Sequence, residues 1–433
     1  MTTPASTTPD RRRFLATLAA APIAAVLGAN RSGRAEDWTG FRGPRGSGLS
    51  TESNLPSEWS ASKNLAWKQP LPGFGTSSPV LHGDRIYLTT YDGYGQDEKS
   101  PGEIGSLRRQ LHGLDRTTGK PAWTVDLPVE AGDEAYKGFQ ALHGYASSTV
   151  ATDGERLYVF AGISGVSAHA LDGKELWRTK VGSKTHNWGS GTSPVLFGDL
   201  VIVNAWVESQ SLVALDKGTG KEVWRVKTAK ASWNTPLVAK SADGRDELVV
   251  SGNGELVGFN PRTGERLWTA EGIDDYVCPS AIVHEGIVYA IGARKGQAIA
   301  VRLGGDGDVT KSHELWKVGR GSNVSSPAYH DGHLYFASES KGIVYCLKAE
   351  TGDAVYEERL APRPDRIYAS PLLADGKIYY VSRTSGTFVL AAEPKFRLIA
   401  VNEHPDETVF NACPVADRGK LLLRSNAALY CFG

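Results

Sequence analysis

One motif, most fully written as Ala214-Leu-Asp-Lys-Gly-Thr-Gly-Lys-Glu-Val-Trp224, returns along most of the chain and restricts what the chain can fold into. Close variants are Leu114-Asp-Arg-Thr-Thr-Gly-Lys-Pro-Ala-Trp123, Ala170-Leu-Asp-Gly-Lys-Glu-Leu-Trp177, Gly258-Phe-Asn-Pro-Arg-Thr-Gly-Glu-Arg-Leu-Trp268 and, more loosely, Leu347-Lys-Ala-Glu-Thr-Gly-Asp-Ala-Val-Tyr356. Each copy reads as a β-hairpin. An apolar strand end meets an Asp or Asn that can accept turn amides, a Gly free to take positive φ, and a return strand bearing an aromatic. One such hairpin cannot bury its own face; a stack of them can.

A second motif counts the units. Short segments ahead of apolar residues recur around Pro79, Thr149, Pro194, Pro236, Pro279, Pro327, Pro371 and Pro414, at intervals of 70, 45, 42, 43, 48, 44 and 43 residues. The first interval therefore holds an insertion. After each marker comes a β-rich run such as Arg85-Ile-Tyr-Leu88 or Lys377-Ile-Tyr-Tyr380, and then the hairpin. Four strands per unit of this length predict an all-β chain folded as an eight-bladed β-propeller of four-stranded antiparallel blades. Asn64-Leu-Ala-Trp-Lys-Gln-Pro-Leu71 reads as an outermost strand without its inner partners, and Ala428-Leu-Tyr-Cys-Phe-Gly433 as a third strand without its fourth. The N- and C-terminal strands are thus expected to share one blade and close the ring, which removes exposed edges.

The rest of the chain divides around that domain of residues 64–433. Residues 1–29, with Arg11-Arg-Arg-Phe-Leu15 and an apolar run from Leu18 to Leu27, read as a twin-arginine-type signal peptide, cleaved as late as residue 35. That run falls short of the roughly 20 residues needed to span a bilayer, so no transmembrane segment is expected in the mature chain. Residues 36–63 are a Gly-rich arm whose Trp38 and Phe41 predict packing on the propeller. The formal net charge is zero, which gives no ground for nucleic acid as a partner.

The two insertions in the first unit, residues 91–110 and 127–146, leave the sheet by second-to-third and fourth-to-first connections. Four alternating strands bring both to the same face, the expected site face. Residues just before the markers should line the funnel mouth there: Tyr145, His186, Asn187, Trp188, Trp233, Asn234, Asp274, Asp275, Tyr276, Asn323, Arg366, Tyr368, Phe410 and Asn411. Aromatics of this kind can stack a sugar or a planar cofactor while Asn and Asp fix its orientation, or can seal the channel. His143 and His186 precede markers and are candidate bases, with a hydrogen-bonded structural role preferred. Cys278, Cys346, Cys413 and Cys431 are isolated in sequence and expected as free, buried thiols. No spacing suggests zinc, and no metal site is expected.

The Ala-Leu-Asp-x-x-Thr-Gly-Lys-x-x-Trp repeat resembles the pyrroloquinoline-quinone-like (PQQ-like) repeat shared by quinoprotein dehydrogenases and BamB-type assembly propellers. The arm from Trp38 to Gly48 is similar to that of exported propellers of planctomycete type. The resemblance implies that Trp67, Trp123, Trp177, Trp224, Trp268, Trp316 and Tyr356 wedge between blades as structural aromatics. For quinoprotein chemistry it implies an adjacent Cys-Cys pair and a calcium or lanthanide held by Glu, Asn and Asp, and the paired Cys is missing here. The reading adopted is an exported periplasmic or envelope propeller, BamB-like in fold. It would act as a non-catalytic scaffold, with no catalytic residue and no cofactor, binding a protein or glycan at the funnel face. A PQQ-dependent dehydrogenase of alcohols or sugars, with PQQ and calcium, and a glycan-binding module are the alternatives.

Overall fold

Antiparallel strands of two to eight residues pair into eight sheets around an axis, each beginning with its innermost strand. The computed structural model describes residues 1–2 and 37–433, so residues 3–29 of the expected export signal lie outside the described residues. Blades 1 to 7 span residues 80–127, 151–179, 195–227, 237–271, 282–318, 328–359 and 372–402. Blade 8 takes three strands from residues 415–432 and its outermost, Leu65–Pro70, from the other end of the chain, with Trp67 opposite Cys431 and Lys68 opposite Tyr430. The eight-bladed ring and its shared closing blade are therefore as the repeat predicts.

The hairpin motif explains how neighbouring blades lock. In blade 3, Asp216 accepts hydrogen bonds from the amide and the hydroxyl of Thr219, both at 2.7 Å. The turn then passes through Gly220 at φ +70°, where a Cβ would lie 2.5 Å from the Trp177 ring of blade 2. Only glycine fits that approach. The wedged indoles donate to the next blade's turn: Trp177 to the Lys217 carbonyl at 2.9 Å, Trp224 to Pro261 at 3.2 Å and Trp316 to Ala349 at 2.9 Å. Blade 5 departs from the pattern. It has no such hairpin; residues Gly307–Asp308 instead pair in parallel with the outer strand of blade 4, and the Trp268 indole donates to buried Glu247 at 2.6 Å.

Around the axis the inner strands join in a closed ring of hydrogen bonds. The Ser78 amide donates to Thr149, Thr149 to Ser193, Ser193 to Thr235, Thr235 to Ser280, Ser280 to Ser326 and Ser326 to Ser370, at 3.0 to 3.1 Å. Ser370 donates to the Cys413 sulfur at 3.3 Å, and the Cys413 amide returns to the Ser78 hydroxyl at 3.0 Å. The small polar residue beside each marker thus satisfies the amide that the adjacent inner strand leaves unpaired.

The arm closes one end of the axis. The Trp38 carbonyl accepts the Leu81 amide and the Thr39 carbonyl the Thr152 amide, both at 2.9 Å, while Gly48 accepts from Leu373 at 2.8 Å, so the arm extends inner strands of blades 1, 2 and 7. Trp38, Leu55 and Trp59 are buried in the blade 7–8–1 core. Between them Arg42 is buried and donates to the carbonyls of Ser47 and Pro327. Burial lowers its pKa to about 10, which leaves it cationic.

The two insertions lie side by side, as expected, the first slightly shorter and the second slightly longer than the sequence suggests. Strands Arg85–Asp92 and Arg108–Asp115 run into the first, and the second extends to the strand beginning at Ala151. Tyr94 and Leu107 pack on Tyr136 and Tyr145, and Arg109 pairs with Asp133 at 2.7 Å. All four cysteines are free, with Cys346, Cys413 and Cys431 buried and Cys278 half-buried.

Candidate functional site

The residues just ahead of the inner strands converge on the axis at the insertion-bearing face and enclose a cavity of about 260 Å³. Blades 3 to 5 form an aromatic wall. The Trp188 ring lies 4.2 Å from Tyr276 and 4.8 Å from Trp233, which is backed by Trp206 at 4.6 Å and His186 at 5.0 Å. Each pair at such a separation contributes about 0.5–1.5 kcal/mol beyond burial, so the wall is pre-formed. Phe139, half exposed on the second insertion, stands edge-on to Trp188 at 5.2 Å. Blades 6 to 8 form a hydrogen-bonding wall. The Asn323 amide donates to the Tyr276 hydroxyl at 2.8 Å, Arg366 donates to Tyr368 at 3.0 Å, and Asn411 donates to the Leu142 carbonyl at 2.7 Å. Phe41 of the arm contributes to the lining from the opposite end of the axis.

His143 ties the second insertion to the aromatic wall. Its Nε2 lies 2.6 Å from the Trp188 carbonyl, which only an N–H can satisfy, so Nδ1 accepts from the Ser147 hydroxyl at 2.6 Å. The Ser–His separation suits a nucleophile and base. The third member, however, is a carbonyl without the charge to stabilise an imidazolium, and burial lowers the His143 pKa. His143 is a strut.

The cavity brings together Trp188, Trp233, Tyr276, Asn323, Arg366, Tyr368 and Asn411 of the residues expected at the funnel mouth. Others are placed elsewhere. Tyr145 is packed among the insertions and donates to the Glu134 carbonyl at 2.7 Å; Asn187 is exposed. Asn234 is buried, its amide donating to the Ser232 hydroxyl at 3.0 Å and to the Ser251 carbonyl. Asp275 is held by Arg294 at 2.9 Å and Asp274 by Lys317 at 3.2 Å, both outside the cavity, and Phe410 is buried and stacked on His404 at 3.8 Å. His186 supports the aromatic wall from behind. Sequence reasoning missed Phe139, Leu142, Trp206 and Glu339. Trp206 and Glu339 lie in second-to-third connections, which the strand alternation already assigns to this face.

The donor set speaks to a metal-held quinone. Glu339 is the one carboxylate lining the cavity, and among the described residues no group of three or more His, Cys, Asp or Glu is placed to hold a metal ion. Cys278 and Cys413 also line it, but from blades 5 and 8 and as separate thiols. These residues do not fit a divalent cation bridging to a quinone, which needs several oxygen donors.

A sequence profile described as outer membrane protein assembly factor BamB matches residues 284–404. The chain is 24% identical over 356 residues to outer membrane protein assembly factor BamB of Burkholderia pseudomallei, covering 72% of this chain and 83% of that one. These matches support a PQQ-like repeat, BamB-like family. This BamB-like propeller is also 27% identical over 265 residues to the quinoprotein alcohol dehydrogenase PedH of Pseudomonas putida, over 57% of its own length and only 40% of that relative's. The solved quinohemoprotein alcohol dehydrogenase of Comamonas testosteroni superposes with a TM-score of 0.61 at 13% identity, covering 92% of this chain and 80% of that one. That likeness speaks for fold alone. No helix among the described residues is long and apolar enough to cross a membrane.

Proposed function

We propose that this BamB-like propeller is an exported, non-catalytic scaffold of the cell envelope that recognises a polypeptide at its axial cavity. The observation carrying this reading is the cavity's division into a pre-formed aromatic wall and a facing wall of amides and guanidinium. A large apolar side chain would enter between Trp188, Tyr276 and Tyr368, and Asn323, Arg366 and Asn411 would meet the polar backbone around it. Size agrees. At about 260 Å³ the cavity falls below the roughly 300–1,000 Å³ of most cofactor pockets. Similarity to BamB of Burkholderia pseudomallei over most of both chains supports the scaffold reading further.

The test is a photo-crosslinking residue at Phe139, expressed in the native envelope. Discrete protein adducts are expected, absent when Trp188 is also replaced by Ala and absent from the same probe at Leu176 on an outer strand. Adducts indifferent to Trp188→Ala would overturn the proposal. So would a stable absorbance band with added PQQ and calcium, accompanied by dye reduction on alcohols. The half-exposed Trp188 beside Phe139 also suits stacking on a sugar ring. A glycan-array signal lost in Trp233→Ala would replace the polypeptide by a glycan.

A further inference from the structure

On the same face, between blades 5 and 6, lies a second cleft of about 290 Å³ whose lining is of a different character. It is cationic. Arg294, Lys295, Arg320 and Lys341 line it together with two carboxylates, Glu339 and Glu357. Asp275 neutralises Arg294 at 2.9 Å and Glu357 neutralises Arg320 at 3.1 Å. Arg359 joins the group by donating to the Lys341 carbonyl at 3.2 Å. Five cations, Arg294, Lys295, Arg320, Lys341 and Arg359, thus stand against three carboxylates, Asp275, Glu339 and Glu357, an excess of two positive charges in and beside the cleft. Like charges gathered on adjacent loops repel one another unless an anion enters between them.

The base of the cleft adds an independent pointer. Tyr345 is 5% exposed, its ring is stacked on Phe336 at 4.9 Å, and its side chain lines the cleft. Its hydroxyl feels the charges of Glu357, Arg320, Glu339 and Arg359 together. A phenol lining the cleft can donate a hydrogen bond to an anion that enters it. Burial is the main cause that raises its pKa, so it keeps its proton at neutral pH.

We propose that the cleft between blades 5 and 6 binds a phosphate-type dianion, with the Tyr345 hydroxyl donating from below and Lys295, Lys341 and Arg359 supplying charge around it. The excess of two positive charges matches a phosphate monoester or inorganic phosphate. The same chemistry serves a soluble phosphate and a phosphomonoester lipid headgroup. The cleft shares Glu339 with the axial cavity but none of its aromatic wall, so it stands independently of the polypeptide reading.

The experiment is equilibrium dialysis of the mature chain against labelled inorganic phosphate at low ionic strength, in parallel with sedimentation on phosphatidic acid and phosphatidylcholine vesicles. Saturable phosphate binding is expected, at least tenfold weaker in the Lys295→Ala/Lys341→Ala double variant. Both side chains are exposed, so the fold is unaffected. Tyr345→Phe should weaken it several-fold with an unchanged thermal melt, and Trp188→Ala should leave it intact. Selective retention on phosphatidic acid vesicles, abolished by the double variant, identifies a lipid headgroup as the source; binding of free phosphate alone identifies a soluble one. No saturable binding in either arm, or equal binding by wild type and double variant, overturns the proposal.

Discussion

The two ends of the propeller axis are closed by different means. At one end the arm adds backbone hydrogen bonds to the inner strands of blades 1, 2 and 7 and buries Trp38 and Trp59. At the other, the insertions and connecting loops meet mainly through side chains, and Trp188, Tyr276 and Phe139 remain partly open to solvent. Main-chain bonds and full burial specify one arrangement, whereas a half-open aromatic wall keeps contact surface unspent. The arm end is built as part of the fold, and the insertion end keeps the surface that the proposed recognition would use.

A pair of tryptophans would break that contrast most directly if it is mistaken. Trp38→Ala removes a side chain that is 2% exposed in the largest core cluster and should cost about 3–5 kcal/mol in urea unfolding. Trp188→Ala, at the other end, gives up ring contacts worth about 0.5–1.5 kcal/mol each but little burial, and should cost about 1–2 kcal/mol while abolishing partner capture. Equal losses of stability would mean that both ends are structural.

Much of this architecture was legible because the repeat carries its own chemistry. Asp216, Thr219 and Gly220 make their turn by local hydrogen bonds, and Trp177 meets Gly220 wherever blades 2 and 3 are neighbours, so reading the hairpins amounted to reading the interfaces. The walls of the site were harder. Trp233 and Asn234 are adjacent in sequence, yet one faces the cavity and the other turns inward to Ser232 and Ser251, because neighbouring residues leaving a strand point to opposite sides. Phe41 signalled that the arm packs on the propeller, but not at which point. Its position depends on where a chain with no repeat crosses the completed ring.

Acidity sharpens the comparison at the next scale of energy. Each end holds a buried charged side chain, Arg42 in the arm and Glu208 behind the aromatic wall. Arg42 is lowered only to about 10 and stays ionised through the physiological range. Glu208, 2% exposed and hydrogen-bonded by Ser190, is pushed by burial from 4.5 up to about 7, with Asp133 adding to the shift. Its backbone carbonyl also accepts from Ser183 at 3.2 Å and Lys184 at 3.1 Å, in the loop that carries His186 and Trp188. Below pH 4.5 the carboxyl is protonated whether folded or not and contributes no pH dependence. As pH rises from 4.5 to 7 the unfolded chain releases this proton first, so stability falls, by roughly 3 kcal/mol in all. Glu208→Gln should match wild type at pH 4 and exceed it by up to about 3 kcal/mol at pH 8, measured by urea unfolding at both pH values. A variant that is no more stable at pH 8 would show that Glu208 ionises freely in the fold.

Midway between the ends, the hydrogen-bond ring should be indifferent to which end is perturbed, and it offers the finest comparison. Thr149→Val keeps the shape of a residue 1% exposed but leaves the buried Ser78 amide without its acceptor at 3.0 Å. The expected cost is about 1–3 kcal/mol, with faster hydrogen exchange at the Ser78 amide. Cys413→Ser tests the same ring in the opposite direction. Sulfur is a weak acceptor, and the Ser370 amide reaches it at 3.3 Å, longer than the 3.0 to 3.1 Å bonds to the hydroxyls elsewhere in the ring. A hydroxyl accepts more strongly, but its shorter C–O bond draws the acceptor back and forfeits part of the thiol's packing. The Cys413 amide still donates to Ser78, so the change is confined to one link. The net effect should lie within about 1 kcal/mol of zero. A loss larger than that of Thr149→Val would show that the sulfur serves something other than the ring, and its place in the axial cavity near Arg42 would then be the first to probe.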